Sequence, residues 1–294
     1  MTQRPSPWGN PIAIADAHVH FFSHRFFEAL AAQKPGLTFD ALHWQMPPPQ
    51  PADLAKIWAH ELDRQGVARA AIIASVPGDE ESVIQAAAAF PDRFFAYAMV
   101  NPANWQPAGI AVACLFPAMH RYSLQSDDAL RVFAWAKENH KAVFVHCGVL
   151  SVGVRKKLGL ESLYDMRFSN PIDVHAVAMR YPSVPIIVPH FGAGYFREAL
   201  MLADLCPNVY LDTSSSNQWM KYQESHLDLR HVFRRALDVA GPRRLLFGTD
   251  SSFFPRGWHS QIFEDQAKAL YELNVSEEDA RLIFSENLMR ILAR

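Results

Sequence analysis

Cysteine is scarce in this chain, with three among 294 residues, and Cys114, Cys147 and Cys206 are widely spaced and set in apolar runs. So few and so scattered a set excludes a disulfide framework and points to a reducing compartment. Charge of one sign is also lacking: 28 Lys and Arg face 30 Asp and Glu. The nearest thing to a basic block is Arg155, Lys156 and Lys157, so the electrostatic footprint of a nucleic-acid binder is missing. No apolar stretch is long enough to cross a bilayer without a charge or Pro interrupting it. The opening MTQRPSPWGNP has no apolar signal core. These absences predict a cytoplasmic protein that binds neither nucleic acid nor membrane.

What is present is a chain half apolar and a fifth charged, enough for a large core in a single domain spanning 1–294. Eight β-rich runs recur: 12–18, 70–75, 94–100, 110–116, 142–146, 184–190, 208–212 and 244–250. Several are continuously apolar (AIIA, AVFV, PIIV, RLLF), which suits strands buried on both faces. Helical patterns lie between them at 80–90, 129–139, 173–180, 196–205 and 226–240. Strand alternating with helix predicts an α/β (β/α)₈ TIM barrel over an open doubly wound sheet. The stretch from Phe21 to Gln65, with Trp44 and the run MPPPQP, reads as an insertion after the first strand. Ser276 before Glu277, Glu278 and Asp279 marks the start of a closing helix.

Polar residues fall where the apolar strands run out. His18 and His20 stand two apart, so in a strand both imidazoles share a face. His146 ends AVFV, His190 ends PIIVP, and Asp250 ends LLFGT. In a parallel barrel these ends lie on the face where active sites are built. Imidazoles with a carboxylate suit one divalent ion, Zn²⁺ foremost, with Mn²⁺, Fe²⁺ or Co²⁺ also acceptable. Such an ion lowers the pKa of bound water from ~15.7 to about 7. Asp250 can ligate and take the water's proton, and His190 can orient the water or steady an oxyanion.

These motifs, together with FVHCG, VPHFGAG, NVYLDTS, LLFGTDSSFFP and SENLMRIL, resemble the amidohydrolase superfamily. The likeness is to its amidohydrolase-related (amidohydrolase 2) branch, which includes aminocarboxymuconate semialdehyde decarboxylase, and it runs over nearly the whole chain. The resemblance implies a mononuclear site with His18, His20, His146 and Asp250 as ligands and His190 as acid/base or water-orienting residue. It departs at the fourth strand, where two-metal relatives carry a carboxylated lysine and this chain reads AVACLFP. No bridging carbamate is expected, and Cys114 is read as a buried, inert thiol.

The expected activity is hydrolysis of a small amide, lactone or ester by metal-activated water. The alternatives are non-oxidative decarboxylation of a small unsaturated or aromatic acid at the same site, and a non-catalytic metal-binding protein. Arg25, Arg155 and Arg256 follow strand ends and are candidates to hold a substrate carboxylate. Trp258 and His259 join them from the loop after Asp250. Ser214, Ser215 and Ser216 offer polar groups but no nucleophile elbow. The expected partner is a small molecule, with a homo-oligomer allowed.

Overall fold

The structure, a computed structural model, describes residues 4–106, 109–150, 152–162, 164–214 and 218–292. Eight strands form one parallel sheet in chain order: β1 (Ala15–Phe21), β2 (Arg69–Ala74), β3 (Phe94–Val100), β4 (Val112–Leu115), β5 (Ala142–Val145), β6 (Ile186–Val188), β7 (Val209–Asp212) and β8 (Leu245–Leu246). Backbone bonds from Ala17 N to Phe247 O (2.8 Å), Asp250 N to His18 O (2.9 Å) and His20 N to Ser251 O (2.7 Å) join the last strand to the first. The fold is therefore a (β/α)₈ barrel.

The helices are α1 (His24–Ala31), α2 (Pro51–Gln65), α3 (Glu80–Ala89), α4 (Pro117–His120), α5 (Asp127–Glu138), α6 (Gly153–Lys157), α7 (Val174–Arg180), α8 (Phe196–Leu205), α9 (Leu229–Ala240), α10 (Ser260–Glu272), α11 (Glu277–Arg281) and α12 (Asn287–Leu292). Strand residues alternate between two apolar layers, as the pleat requires. Val19 and Phe21 pack outward with the helices, while Ala15, Ala17, Ile73, Met99 and Phe144 fill the barrel. Leu288 and Ile291 of α12 join the inner layer, so the closing helix, capped by Ser276 through Asp279 N, stoppers one end of the barrel.

Three expectations are corrected. The first strand begins at Ala15 rather than Ile12, because Ile12 is drawn into an antiparallel bridge with Arg4. His18 and His20 therefore lie within β1. The insertion is shorter than 21–65, since Pro51–Gln65 is the barrel's own helix α2, started by Pro at its first turn. Finally, the strand–helix alternation fails once: none of the described residues between β3 and β4 is helical. That segment carries Pro102 and Gly109, which break a helix. Among the described residues no helix is long and apolar enough to cross a membrane.

Candidate functional site

The ends of β1, β5, β6 and β8 bring the polar residues together. Ring centroids of His18 lie 5.2 Å from His20 and 4.9 Å from His190, and His146 stands 5.5 Å from His190. Ligand atoms of His18, His20 and Asp250 all lie within 4.8 Å of one another. His146 stands outside that compact trio, facing His190 and stacked on Phe116 at 5.2 Å. Both His190 and Asp250 occupy the left-handed region, with φ of 55° and 59°. Non-glycine residues hold that conformation only where the surroundings impose it, and such positions cluster at functional sites.

The trio's outer nitrogens are committed. His18 Nδ1 lies 2.7 Å from Oδ2 of buried Asp212, an acceptor, so Nδ1 carries the hydrogen and Nε2 keeps its lone pair. Ser75 Oγ donates to Ile73 O at 3.1 Å, and so accepts from His20 Nδ1 at 2.7 Å. His20 Nε2 is then also bare, yet it sits 3.1 Å from Asp250 Oδ1. Two lone-pair atoms that close repel unless a proton or a cation lies between them. Two neutral imidazole nitrogens and a carboxylate form a donor set that fits a divalent ion.

His190 is held from the same place. Its Nδ1 lies 2.9 Å from the carbonyl oxygen of Ser214, which can only accept, so Nε2 is left free as a base. Ser214 Oγ stands 2.9 Å from His18 Nδ1 and 3.1 Å from His190 Nδ1, and Ser214 N donates to Asp212 Oδ1 at 2.5 Å. Gly248 floors this hub: a Cβ there would lie 2.8 Å from Asp212 Oδ1 and 3.0 Å from His18 Cβ. Side chains larger than hydrogen do not fit.

Electrostatics agree with these roles. Burial pushes His146 well below the ordinary imidazole range, helped by neighbouring His190 and His18. Burial likewise lowers His190, with His18 adding to it. Burial works to raise Asp250, but a proton on His20 Nε2 would fill the gap between the two atoms, and the hydrogen bond and charge of His20 in that form, with the charges of His18 and His190, outweigh burial and hold the carboxylate below its usual range. For His18, burial pulls down most strongly of any one cause, but Asp212, Asp250 and Asp16 together outweigh it, and the net shift is upward. Asp16 is pushed up to about 6 by burial, against donors from Thr249, His18 N and Trp258. It accepts from His18 N (2.9 Å), Thr249 N (3.1 Å), Thr249 Oγ1 (2.6 Å) and Trp258 Nε1 (2.7 Å), pinning β1 to the Gly-Thr-Asp turn.

A cavity of about 1260 Å³ opens over the site, with His18, His20, His146, His190 and Asp250 in its wall. Of the candidate substrate residues, Arg155 lines it. Arg256 does not, but lies at the rim, stacked 4.4 Å over Phe253, with Nη2 3.1 Å from Ser252 Oγ. Three placements correct the expectation. Trp258 is 2 % exposed and packs on Phe247 and Phe263 while donating to Asp16, so its role is in the core. Arg25 is exposed beside Gly78, off the cavity wall. His259 precedes α10 and donates its backbone N to Ser251 Oγ at 2.9 Å, also off the wall. Cys114 is a free, buried thiol inside the barrel, its pKa raised well up by burial. Ser215 and Ser216 lie outside the described residues.

Sequence reasoning passed over Asp212, Ser75 and Asp16 as working groups. For Asp212 a signal existed: it is a carboxylate ending an apolar strand, as Asp250 is.

Residues 15–294 match the family model described as amidohydrolase. Protein fluG of Emericella nidulans is 36% identical over 89 residues, 30% of this chain; the match spans a tenth of that protein's length. Among solved structures, an amidohydrolase from Burkholderia multivorans with bound Zn has a TM-score of 0.61 at 17% identity, covering 96% of this chain and 99% of that one. The 5-carboxyvanillate decarboxylase from Sphingomonas paucimobilis has a TM-score of 0.62 at 13% identity, with the same 96% and 99% coverage.

Proposed function

We propose, for a chain that belongs to the amidohydrolase family, that it is a metal-dependent hydrolase of an amide, lactone or ester. The observation that carries this is the 3.1 Å approach of His20 Nε2 to Asp250 Oδ1 while both hydrogens on Nδ1 of His18 and His20 are pointed away from the trio. His18, His20 and Asp250 would hold one divalent ion, with His146 completing the set from the facing strand. Zn²⁺ is our choice because two imidazoles and a carboxylate are ordinary zinc ligands and a fold relative carries Zn. Bound there, the ion supplies a water of lowered pKa and polarises a carbonyl.

The chain's own groups do the rest. Asp250, held ionised, accepts a proton from water at its free carboxylate oxygen. Asp250 then returns that proton to the leaving atom, while His190, neutral and with Nε2 free, accepts a hydrogen bond from the attacking water and orients it. Asp212 and Ser214 keep His18 and His190 in the tautomers these tasks need.

Metal content together with turnover of a panel of lactones, esters and amides tests the reading. Hydrolysis proportional to bound metal, with one water added per product, is expected. Carbon dioxide released from a carboxylic acid without addition of water would overturn hydrolysis in favour of decarboxylation at this site.

A further inference from the structure

The cavity is larger than the roughly 300–1,000 Å³ that encloses a drug-sized ligand, and one side of its wall is an apolar stripe. Phe22, Phe26, Leu30 and Lys34 all line it at four-residue spacing, which places them on one face of α1 and its flanks. Phe22 stacks on the candidate ligand His20 at 5.4 Å, and Phe26 stacks on Phe22 at 4.2 Å with planes 10° apart. The stripe thus starts at the metal site and runs away from it. At 1.5 Å per residue, Phe26 and Leu30 within α1 are separated by roughly 6 Å along the axis, with Phe22 before the helix and Lys34 after it extending the stripe at its two ends.

At the far end positive charge collects. Lys34, Arg155 and Lys157 line the cavity together. Arg155 Nη1 bonds Gln33 Oε1 at 2.7 Å, and its Nε bonds the carbonyl oxygen of Glu161 at 3.0 Å and Ser162 Oγ at 3.3 Å. These acceptors are neutral, so the guanidinium charge is fixed in place without being cancelled. Lys34 Nζ reaches within 3.5 Å of the point where a Cβ on Gly159 would stand, which brings α1's end to the turn after α6. Among the described lining residues the carboxylates are Asp250, spent at the metal site, and Glu161.

We infer that the substrate is an elongated amphipathic anion: its reacting carbonyl at the His18–His20–Asp250 end, an apolar body along Phe22, Phe26 and Leu30, and a terminal carboxylate or comparable anion at Lys34, Arg155 and Lys157. This rests on the hydrolase reading for which end reacts, but not for how the far end is held.

Calorimetry on the metal-loaded protein with sebacate, decanoate and succinate as probes tests it, metal content being measured on the same samples. Sebacate should bind about tenfold more tightly than decanoate, the gain of one charge-assisted contact, and more tightly than the short diacid succinate. Lys34→Gln with Lys157→Gln, at two exposed positions, should erase both preferences and leave decanoate unchanged. Arg155→Gln is the second variant, checked by thermal melting because Arg155 also ties α6 to α1. Sebacate no tighter than decanoate or succinate, or a preference that survives both variants, overturns the inference. Protein that takes up no metal on loading yet keeps the preference would overturn the hydrolase reading and leave this one standing.

Discussion

Nδ1 of His190 lies 2.9 Å from the carbonyl oxygen of Ser214, while the hydroxyl of the same serine stands 2.9 Å from Nδ1 of His18. One residue after β7 therefore touches the back of both a candidate ligand and the candidate base. With its backbone N on Asp212, which in turn holds His18, it couples the orientation of the two rings. His190→Asn keeps polarity but loses the aromatic base. It should lower kcat by about 10²–10⁴-fold with metal content unchanged, and metal loss in that variant would move His190 from base to ligand.

Asp212→Asn tests the support behind His18. An amide can offer N–H to Nδ1, which favours the tautomer with the hydrogen on Nε2, pointed at the ion. Metal affinity, read by competition with a chelator, should fall about 10–100-fold, the usual cost of losing an outer partner of a ligating His. An unchanged affinity would show that Ser214 alone fixes the ring.

His20→Ala removes a half-buried ring whose outer partner, Ser75, retains its bond to Ile73 O. Stoichiometric metal and hydrolysis should both be lost, while circular dichroism stays that of the parent barrel. Retained metal at full occupancy would refute the ligand assignment.

Gly248→Ala introduces a methyl 2.8 Å from both Asp212 Oδ1 and Ser214 Cβ and 3.0 Å from His18 Cβ. Overpacking of this kind costs about 1–3 kcal/mol. Since the displaced atoms belong to the hub, a lowered melting temperature should be accompanied by weakened metal binding. Melting alone, with metal affinity intact, would mean that the hub tolerates the shift.

The barrel was legible because its strands are buried on both faces and read as plain apolar runs, and β3 was placed residue for residue from that pattern. His146, His190 and Asp250 were picked out for a related reason, since a polar side chain at the tip of such a run has a burial cost to explain, and His18 and His20 by their spacing of two, which puts both on one face of β1. The supporting residues were less visible. Asp212, Ser75 and Asp16 act through hydrogen bonds to partners as much as 242 positions away, as between Asp16 and Trp258, and no local spacing records that pairing. Trp258 misled because it was placed by its loop after Asp250, whereas its indole N–H is spent on buried Asp16. Arg25 sits next to residues that enter the cavity wall, but on a helix its neighbour Phe26 points elsewhere. Helix α2 was absorbed into the insertion because Pro48, Pro49 and Pro51 read as loop, although Pro51 occupies the first helical turn, where its missing N–H is not needed.

The insertion helix α1, which carries the apolar stripe, is tied to the barrel through a buried carboxylate. Asp79 Oδ2 accepts from Ser23 Oγ at 2.6 Å, and its other oxygen accepts from Ser82. Ser23 in turn caps α1 through Phe26 N at 3.1 Å. Burial raises the Asp79 pKa, more than the bonds from Ser23 and Ser82 and the charge of Arg25 lower it. The folded state therefore holds this proton more tightly than the unfolded chain, whose carboxyl titrates near 3.8. Where one state binds more protons, raising the pH disfavours it. The contribution of Asp79 to stability is thus complete below pH 3.8 and declines as the pH rises through the folded pKa. Asp79→Asn cannot ionise, yet its amide can still accept from one serine and donate to the other. In urea unfolding of metal-free protein, the variant should gain stability relative to the parent between pH 4 and neutrality. A constant difference across that range would show that Asp79 titrates alike in both states, and that the anchor of α1 is insensitive to pH.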